Sequence, residues 1–206
     1  APGFLNFKIS PMFFQKQVNL ILTEHKNFGK GSIGFGKSAN VEFVSANPTG
    51  PLTVGHGRNA VLGDTISKIL EWQSFDVTRE YYFNDAGRQM RVLGKSVEAR
   101  YYETLGENFD FPEDGYKGKY IINIAKNILK QKGNNIKHGD DIFQKSAEEI
   151  IFKEIKSSLI NLGIKFDLFT NEKSFYENGD IDELLKALSD KKLLYKKDDA
   201  IWFKTS

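Results

Sequence analysis

With 206 residues, 40% of them hydrophobic and 13% aromatic, the chain can bury a core in one or two domains, which excludes a disordered tail. Its 29 basic residues nearly balance 27 acidic ones, for a formal net charge of +2, so no strong overall field argues for nucleic acid and any RNA contact must be local. The lack of cysteine excludes disulfide scaffolds, thiolate zinc sites and cysteine nucleophiles; with no apolar run of about eighteen residues and no signal-peptide order at Ala1-Pro2-Gly3, the chain reads as cytoplasmic, with no membrane segment.

Residues 4–9 alternate Phe4, Asn6, Lys8 with Leu5, Phe7, Ile9, a period of two that predicts a strand under way from the first residue, as if the beginning were cut. Phe14, Val18, Ile21 and Leu22 predict a helix over 12–26, followed by a linker rich in glycine (Gly29, Gly31, Gly34, Gly36) that suggests a domain boundary. The apolar run 41–44, the Pro/Gly turn 46–56 and the amphipathic run 58–72 read as strand, turn and helix, and 77–83 as a second strand. A strand, helix and strand this close imply a parallel pair with a right-handed crossover. Ligands of such sheets lie beyond the carboxyl ends of the strands, where 45–47 and 84–87 both emerge, so the two turns are expected to face one site.

Further along, 89–105 predicts a helix, 109–118 a loop with Pro112 and Gly115, and 120–131 and 142–162 helices with one buried face. A short strand is expected at 166–169 and a helix at 181–188. Residues 193–195 and 200–203 are expected to pair as a hairpin around Lys197-Asp198-Asp199.

The segment Ala46-Asn47-Pro48-Thr49-Gly50-Pro51-Leu52-Thr53-Val54-Gly55-His56 is the most informative stretch. A helix start leaves N–H groups unpaired and carries partial positive charge, so a glycine-flanked one suits a nucleotide phosphate. His56 fits two readings. In one it meets phosphate or ribose and stabilises charge on a phosphoryl group; in the other it only caps a turn. Gly55 and Gly57 favour the first, because missing side chains let a ligand approach the backbone.

The run Val41-Glu42-Phe43-Val44-Ser45-Ala46-Asn47-Pro48-Thr49-Gly50-Pro51-Leu52, continuing to Val54-Gly55-His56-Gly57-Arg58, closely resembles the signature segment of bacterial arginyl-tRNA synthetases. The likeness extends through Gly63-Asp64, residues 81–90 (Tyr81-Tyr82-Phe83-Asn84-Asp85-Ala86-Gly87-Arg88-Gln89-Met90), residues 111–118, Leu194-Tyr195 and residues 200–206, while residues 2–7 are similar to the end of that family's N-terminal RNA-binding domain. The combination covers nearly the whole chain and is specific, although each piece alone is weak.

The resemblance implies an α/β fold with a Rossmann-type parallel sheet, the first half of a class I synthetase nucleotide-binding fold, carrying a helical insertion. The implied division is 1–28 for the tail of the RNA-binding domain and a connecting helix, 29–108 for the first half of the catalytic domain, and 109–206 for the helical insertion with a small β element. It implies that arginine carboxylate attacks the α-phosphate of ATP, with Mg2+ assisting, and that the arginyl-adenylate esterifies the 3′ end of tRNA(Arg). The full-length form would be monomeric.

Carried over by position, Asn47, Pro48, Thr49, Gly50, Pro51, Gly55, His56, Gly57 and Asn59 would contact ATP, with His56 and Thr53 at the catalytic positions. Glu42, Ser45, Asn47, Asp85 and Gln89 would bind arginine, and the resemblance supplies no protein ligand for a metal. A carboxylate at a strand end can accept the paired N–H fork of a guanidinium, which suits Glu42, though taken alone it reads as a solvated strand residue. Asn47 reads equally as an Asx-turn residue before Pro48, and Asp85, Gly87 and Gln89 as a turn and helix cap. Tyr81-Tyr82 is expected to pack in the sheet, and Lys126, Lys130 and Lys132 to lie on solvated faces.

Two departures from the family pattern matter. The signature reads His-x-Gly-His, and Thr53 stands in place of the first histidine; its hydroxyl is shorter and carries no charge, so weaker stabilisation of the α-phosphate is expected. The second signature, Lys-Met-Ser-Lys-Ser, does not occur in these residues, so this chain alone is expected neither to activate arginine nor to charge tRNA. Another histidine-motif adenylyltransferase, or a non-catalytic nucleotide- or RNA-binding paralogue, remain as alternative readings.

Overall fold

The computed structural model describes residues 3–85 and 87–205; Pro2, Ala86 and Ser206, which the resemblance includes, lie outside the described residues. Strand β1 (Ser38–Glu42), helix α2 (Val54–Trp72) and strand β2 (Asp76–Phe83) form the expected unit, and the strands run parallel from Ser38 beside Asp76 to Glu42 beside Glu80. Strand β3 (Leu168–Asn171) joins the other side of β2, parallel, with Glu80 beside Leu168 and Phe83 beside Asn171. The sheet order is therefore β1-β2-β3, and β1 is an edge.

The chain between β2 and β3 forms three helices, α3 (Gly87–Thr104), α4 (Lys119–Lys132) and α5 (Ile142–Asn161). Their apolar residues recur three and four apart and meet in one core, where Leu93, Val97, Tyr101, Ile121, Ile128, Phe143, Ile151 and Ile155 are buried. On the sheet side this core continues through Tyr81 and Phe83, which meet Phe152 of α5 at ring separations of 5.9 and 4.4 Å. Neighbouring residues of a strand point to opposite faces. The other face of the sheet accordingly carries a polar row in which Asn40 and Thr170 both donate hydrogen bonds to Glu80.

Helix α2 is seated by a close approach. Gly63 packs against the ring of Phe43, and a Cβ there would lie 2.1 Å from that ring, so only glycine fits. Arg79 of β2 grips the far end of the helix, with its guanidinium forked onto Glu71 at 2.6 and 2.9 Å and its Nε 3.5 Å from Asp64. The outer side of α2 is different: Val61, Leu62, Ile66 and Ile69 are exposed.

After β3 come α6 (Glu172–Glu177), α7 (Asp180–Asp190) and the expected hairpin, β4 (Leu194–Lys197) paired antiparallel with β5 (Ala200–Phe203). Three local expectations are revised. Residues 4–9 form no strand, because among the described residues no other strand lies beside them and Phe4, Leu5 and Phe7 stay more than four-fifths exposed. Ser10 instead caps helix α1 (Pro11–Glu24), with Pro11 at its first position. Strand β3 begins two residues later than the pattern suggests, since Phe166 turns into the core against Phe43 at 4.4 Å before pairing starts. The six-residue α6 was not expected; Asn171 caps it by accepting the Lys173 N–H at 2.8 Å.

The glycine linker is a strap rather than a free tether. Gly31 and Gly34 N–H groups donate to the carbonyls of Trp72 and Gln73 at 3.0 and 2.8 Å, and Trp72 Nε1 donates to the Phe28 carbonyl at 3.3 Å.

Candidate nucleotide and amino-acid site

The site begins where β1 ends. Val44 and Ser45 take φ values of 65° and 43°, a region that L-residues avoid and a β-branched one most of all. Such backbone persists only when its surroundings over-determine it. Here they do: the Val44 N–H donates to Asn59 Oδ1 at 2.6 Å, and Tyr81 Oη bonds both the carbonyl and the N–H of Ala46, at 2.8 and 3.2 Å. Burial pushes the Tyr81 phenol up to about 12, against the lowering effect of that backbone bond, so it stays protonated and donates.

The two turns then lock together through Asn47. Its Oδ1 accepts the Asn84 N–H at 2.8 Å, and its Nδ2 donates to Gln89 Oε1 at 3.0 Å, so one side chain spans the ends of both strands. Ser45 Oγ adds a bond from the Tyr82 N–H at 3.1 Å. On the other flank Pro48 is fully buried. Tyr120 of α4 donates to the Thr49 carbonyl at 2.8 Å, which ties the phosphate-type turn to the helical layer.

Thr53 caps α2 reciprocally with His56. Thr53 Oγ1 accepts the His56 N–H at 3.4 Å, and the Thr53 N–H donates to His56 Nδ1 at 3.1 Å. With Nδ1 committed as an acceptor, the proton of the neutral ring lies on Nε2. The helix start is open: Thr53, Val54 and Gly55 are exposed, and a Cβ added at Gly57 would meet nothing within 4 Å. That space, beside the unpaired N–H groups of the first turn, suits a phosphate.

Carboxylates gather beyond the strand ends. Glu42 is exposed at the end of β1. Glu172, which the sequence reading did not single out, accepts from Tyr82 Oη at 2.8 Å and from Asn84 Nδ2 at 2.7 Å. Desolvation, the bond to Glu172 and the negative charges of Glu172 and Glu42 push Tyr82 up to about 12. The phenol is thus a permanent donor, and both Glu42 and Glu172 act on it. The only local signal for Glu172 was an Asn-Glu pair at a strand-to-helix boundary, which reads as ordinary capping. Asp85 accepts from Asn171 Nδ2 at 2.6 Å.

The structure therefore brings Ser45, Asn47 and Gln89 into one network with Glu172 of α6, with Glu42 on its β1 side, while Asp85 bonds Asn171 beside Glu172 and does not join that network directly. Asn59 and Thr53 are occupied in holding the backbone, of β1 and α2 respectively. Among the described residues no three His, Asp or Glu side chains form a group that could hold a metal, and no helix is long and apolar enough to cross a membrane.

Comparison with known proteins identifies the family of the chain. The family described as tRNA synthetases class I (R), catalytic domain, matches residues 17–204. The arginine–tRNA ligase of Desulfotalea psychrophila is 51% identical over 208 residues, which cover 100% of this chain and 38% of that protein. That of Chlorobium phaeobacteroides is 48% identical over 213 residues, 100% of this chain and 39% of that one. The chain thus spans about two fifths of the length of the relatives it matches. A solved structure named for an arginyl-tRNA synthetase of Campylobacter jejuni superposes with a TM-score of 0.81 at 34% identity, over 95% of this chain and 43% of that one. The Thermus thermophilus arginyl-tRNA synthetase, 21% identical with a TM-score of 0.52, covers 80% of this chain and 28% of its own and shares the fold. With a parallel sheet, a histidine-bearing helix start and a family match along nearly its whole length, the chain belongs to the class I arginyl-tRNA synthetase catalytic-domain family.

Proposed function

We propose that this chain forms the ATP- and arginine-binding half of an arginine–tRNA ligase. The polypeptide that carries it activates L-arginine with ATP and transfers the arginyl group to the 3′ end of tRNA(Arg). The observation that carries this reading is the Asn47 clamp, whose bonds to Asn84 and Gln89 hold the nucleotide turn and the amino-acid turn as one unit. Adenylation needs two reactants held in line, and a pre-assembled pair of turns supplies that geometry.

In the proposed reaction a carboxylate oxygen of arginine attacks the α-phosphorus of ATP, the bond to the bridging oxygen breaks, and pyrophosphate leaves. The turn 47–51, Gly55, Gly57 and Asn59 line the nucleotide. His56 Nε2–H and the free N–H groups of α2 offset the charge that grows on the α-phosphate. Glu42 and Glu172 offer carboxylate oxygens to the guanidinium fork, and Ser45, Asn47, Asp85 and Gln89 hold the amino-acid end. Mg2+ would supply counter-charge to the triphosphate, and the described residues gather no His, Asp and Glu group to hold it. The division at residues 28 and 108, a cytoplasmic setting and a monomeric full-length form complete the proposal.

Arginine-dependent exchange of pyrophosphate into ATP by the full-length polypeptide tests it. Exchange is expected with arginine and to fall by about a hundred- to a thousandfold in His56→Ala. Exchange driven by a different amino acid would overturn the arginine assignment, and its absence would overturn the enzymatic one.

A further inference from the structure

Asp85 sits at the end of β2 with one carboxylate oxygen bonded and the other buried without a hydrogen-bond partner. Oδ2 accepts from Asn171 at 2.6 Å, whereas Oδ1 is sealed from solvent. A buried carboxylate oxygen with no donor is costly. The carboxyl of half-buried Glu148, in the first half of α5, comes close enough to Asp85 for the Asp85 charge and side chain to act on it directly. Two carboxylates in contact cannot both stay ionised at low cost, so one proton between them satisfies the geometry.

We propose that Glu148 and Asp85 share one proton in the free protein, and that the α-ammonium group of the amino-acid substrate displaces it. This rests on the functional reading that Asp85 receives the substrate amine. The proton then acts as a stand-in for the absent cation: it supplies the donor that Asp85 Oδ1 otherwise lacks and keeps that side chain aimed before substrate arrives. On binding, the Glu148 O–H bond breaks, its proton passes to solvent buffer, and the ammonium N–H groups take its place. Glu148 is a positioning residue in this scheme.

The surroundings fit a proton that is held but releasable. Desolvation, then the charge and side chain of Asp85, push Glu148 up to about 7, and only Lys173 of α6 opposes them. Lys173 is itself committed to Glu177 at 3.0 Å. On α5, Lys145 is paired with Asp141 at 2.6 Å, and Lys156 lies over the rings of Phe152 and Phe169. Lys145, Glu149, Lys153 and Lys156 line the same shallow groove as Glu148, of about 570 Å³, which gives the released proton a route to water.

Calorimetric titration of L-arginine into the full-length protein, in two buffers of different protonation enthalpy at about pH 7, is expected to show release of about half a proton per arginine bound. Glu148→Gln, whose amide donates permanently, is expected to bind arginine without release. δ-Guanidinovalerate, which lacks only the α-amine, is expected to bind wild type without release. Carbon NMR of the free protein is expected to place the Glu148 titration near 7. Arginine binding with no proton exchange, equal release in Glu148→Gln, release on binding the deaminated analogue, or an ordinary Glu148 midpoint near 4.5 would each overturn this inference alone. Failure of wild type to bind arginine would overturn the functional reading and the inference together.

Discussion

The backbone N–H of Thr53 donates to Nδ1 of His56 at 3.1 Å, so the residue standing where the family signature has its first histidine orients the second. Thr53 is therefore a cap as well as a departure. Thr53→Ala keeps the backbone donor but loses the Oγ1 acceptor, and is expected to cost about 1 kcal/mol and to lower Tm by about 2–4 °C. Thr53→His also loses that cap, yet is expected to speed pyrophosphate exchange by adding an imidazole near the α-phosphate. Thermal melts and exchange rates on the same samples separate the two effects, and an unchanged exchange rate would mean that the missing histidine does not limit activation.

Tyr120 gives a second handle, because its hydroxyl holds the Thr49 carbonyl from the helical layer at 2.8 Å. Tyr120→Phe is expected to cost about 1 kcal/mol of stability and to raise KM for ATP more than KM for arginine. Equal changes in both would argue that the bond supports the fold and not the nucleotide turn.

The seat of α2 can be tested by size alone. Gly63→Ala forces a methyl into the ring of Phe43 and is expected to destabilise by about 1–3 kcal/mol. Adding Phe43→Leu is expected to recover part of that loss, a coupling that a double-mutant cycle measures.

Stability is expected to depend on pH in two opposite ways. Glu71 is pulled below the ordinary carboxylate value of 4.5 chiefly by its hydrogen bond from Arg79, and Glu80 by bonds from Thr170 and then Asn40. Groups depressed in this way contribute stability that is present above their unfolded value and lost as pH falls through the folded one. Tm is thus expected to drop as pH falls below about 4.5, and less steeply in Glu80→Gln. Glu148 has the reverse sign: raised to about 7, it contributes stability present below 4.5 and lost as pH rises through 7. Glu148→Gln is accordingly expected to raise Tm at about pH 8 and to leave it nearly level at about pH 5. Parallel melting curves across that range check both signs.

The βαβ unit was legible because each of its parts has a local cause. The Pro/Gly turn precedes a helix with Thr53 as a good cap, and residues 77–83 are β-branched and aromatic. Residues 4–9 show the limit of period: Leu5, Phe7 and Ile9 alternate correctly with Asn6 and Lys8, but pairing needs a neighbouring strand. The same holds within the site. Asn47, Asp85 and Gln89 could be singled out from their places beside strand ends together with the family resemblance, whereas Glu172 and Glu148 lie about ninety and sixty residues beyond β2, a distance that no local spacing rule covers. The tight φ values at Val44 and Ser45 were likewise invisible, since nothing in a valine announces positive φ.

The exposed row Val61, Leu62, Ile66 and Ile69 on α2, taken with the outer edge of β1, which no strand among the described residues covers, governs how this polypeptide behaves in a tube. Apolar side chains and an open strand edge both invite other chains. A preparation of these residues is expected to scatter light more as protein concentration rises, and mild salt will not cure it because charge is not the adhesive. Lysine substitutions at Leu62 and Ile69, on the side of α2 away from the buried Ala60, Gly63, Asp64 and Ser67, offer the direct route to a sample that stays dispersed.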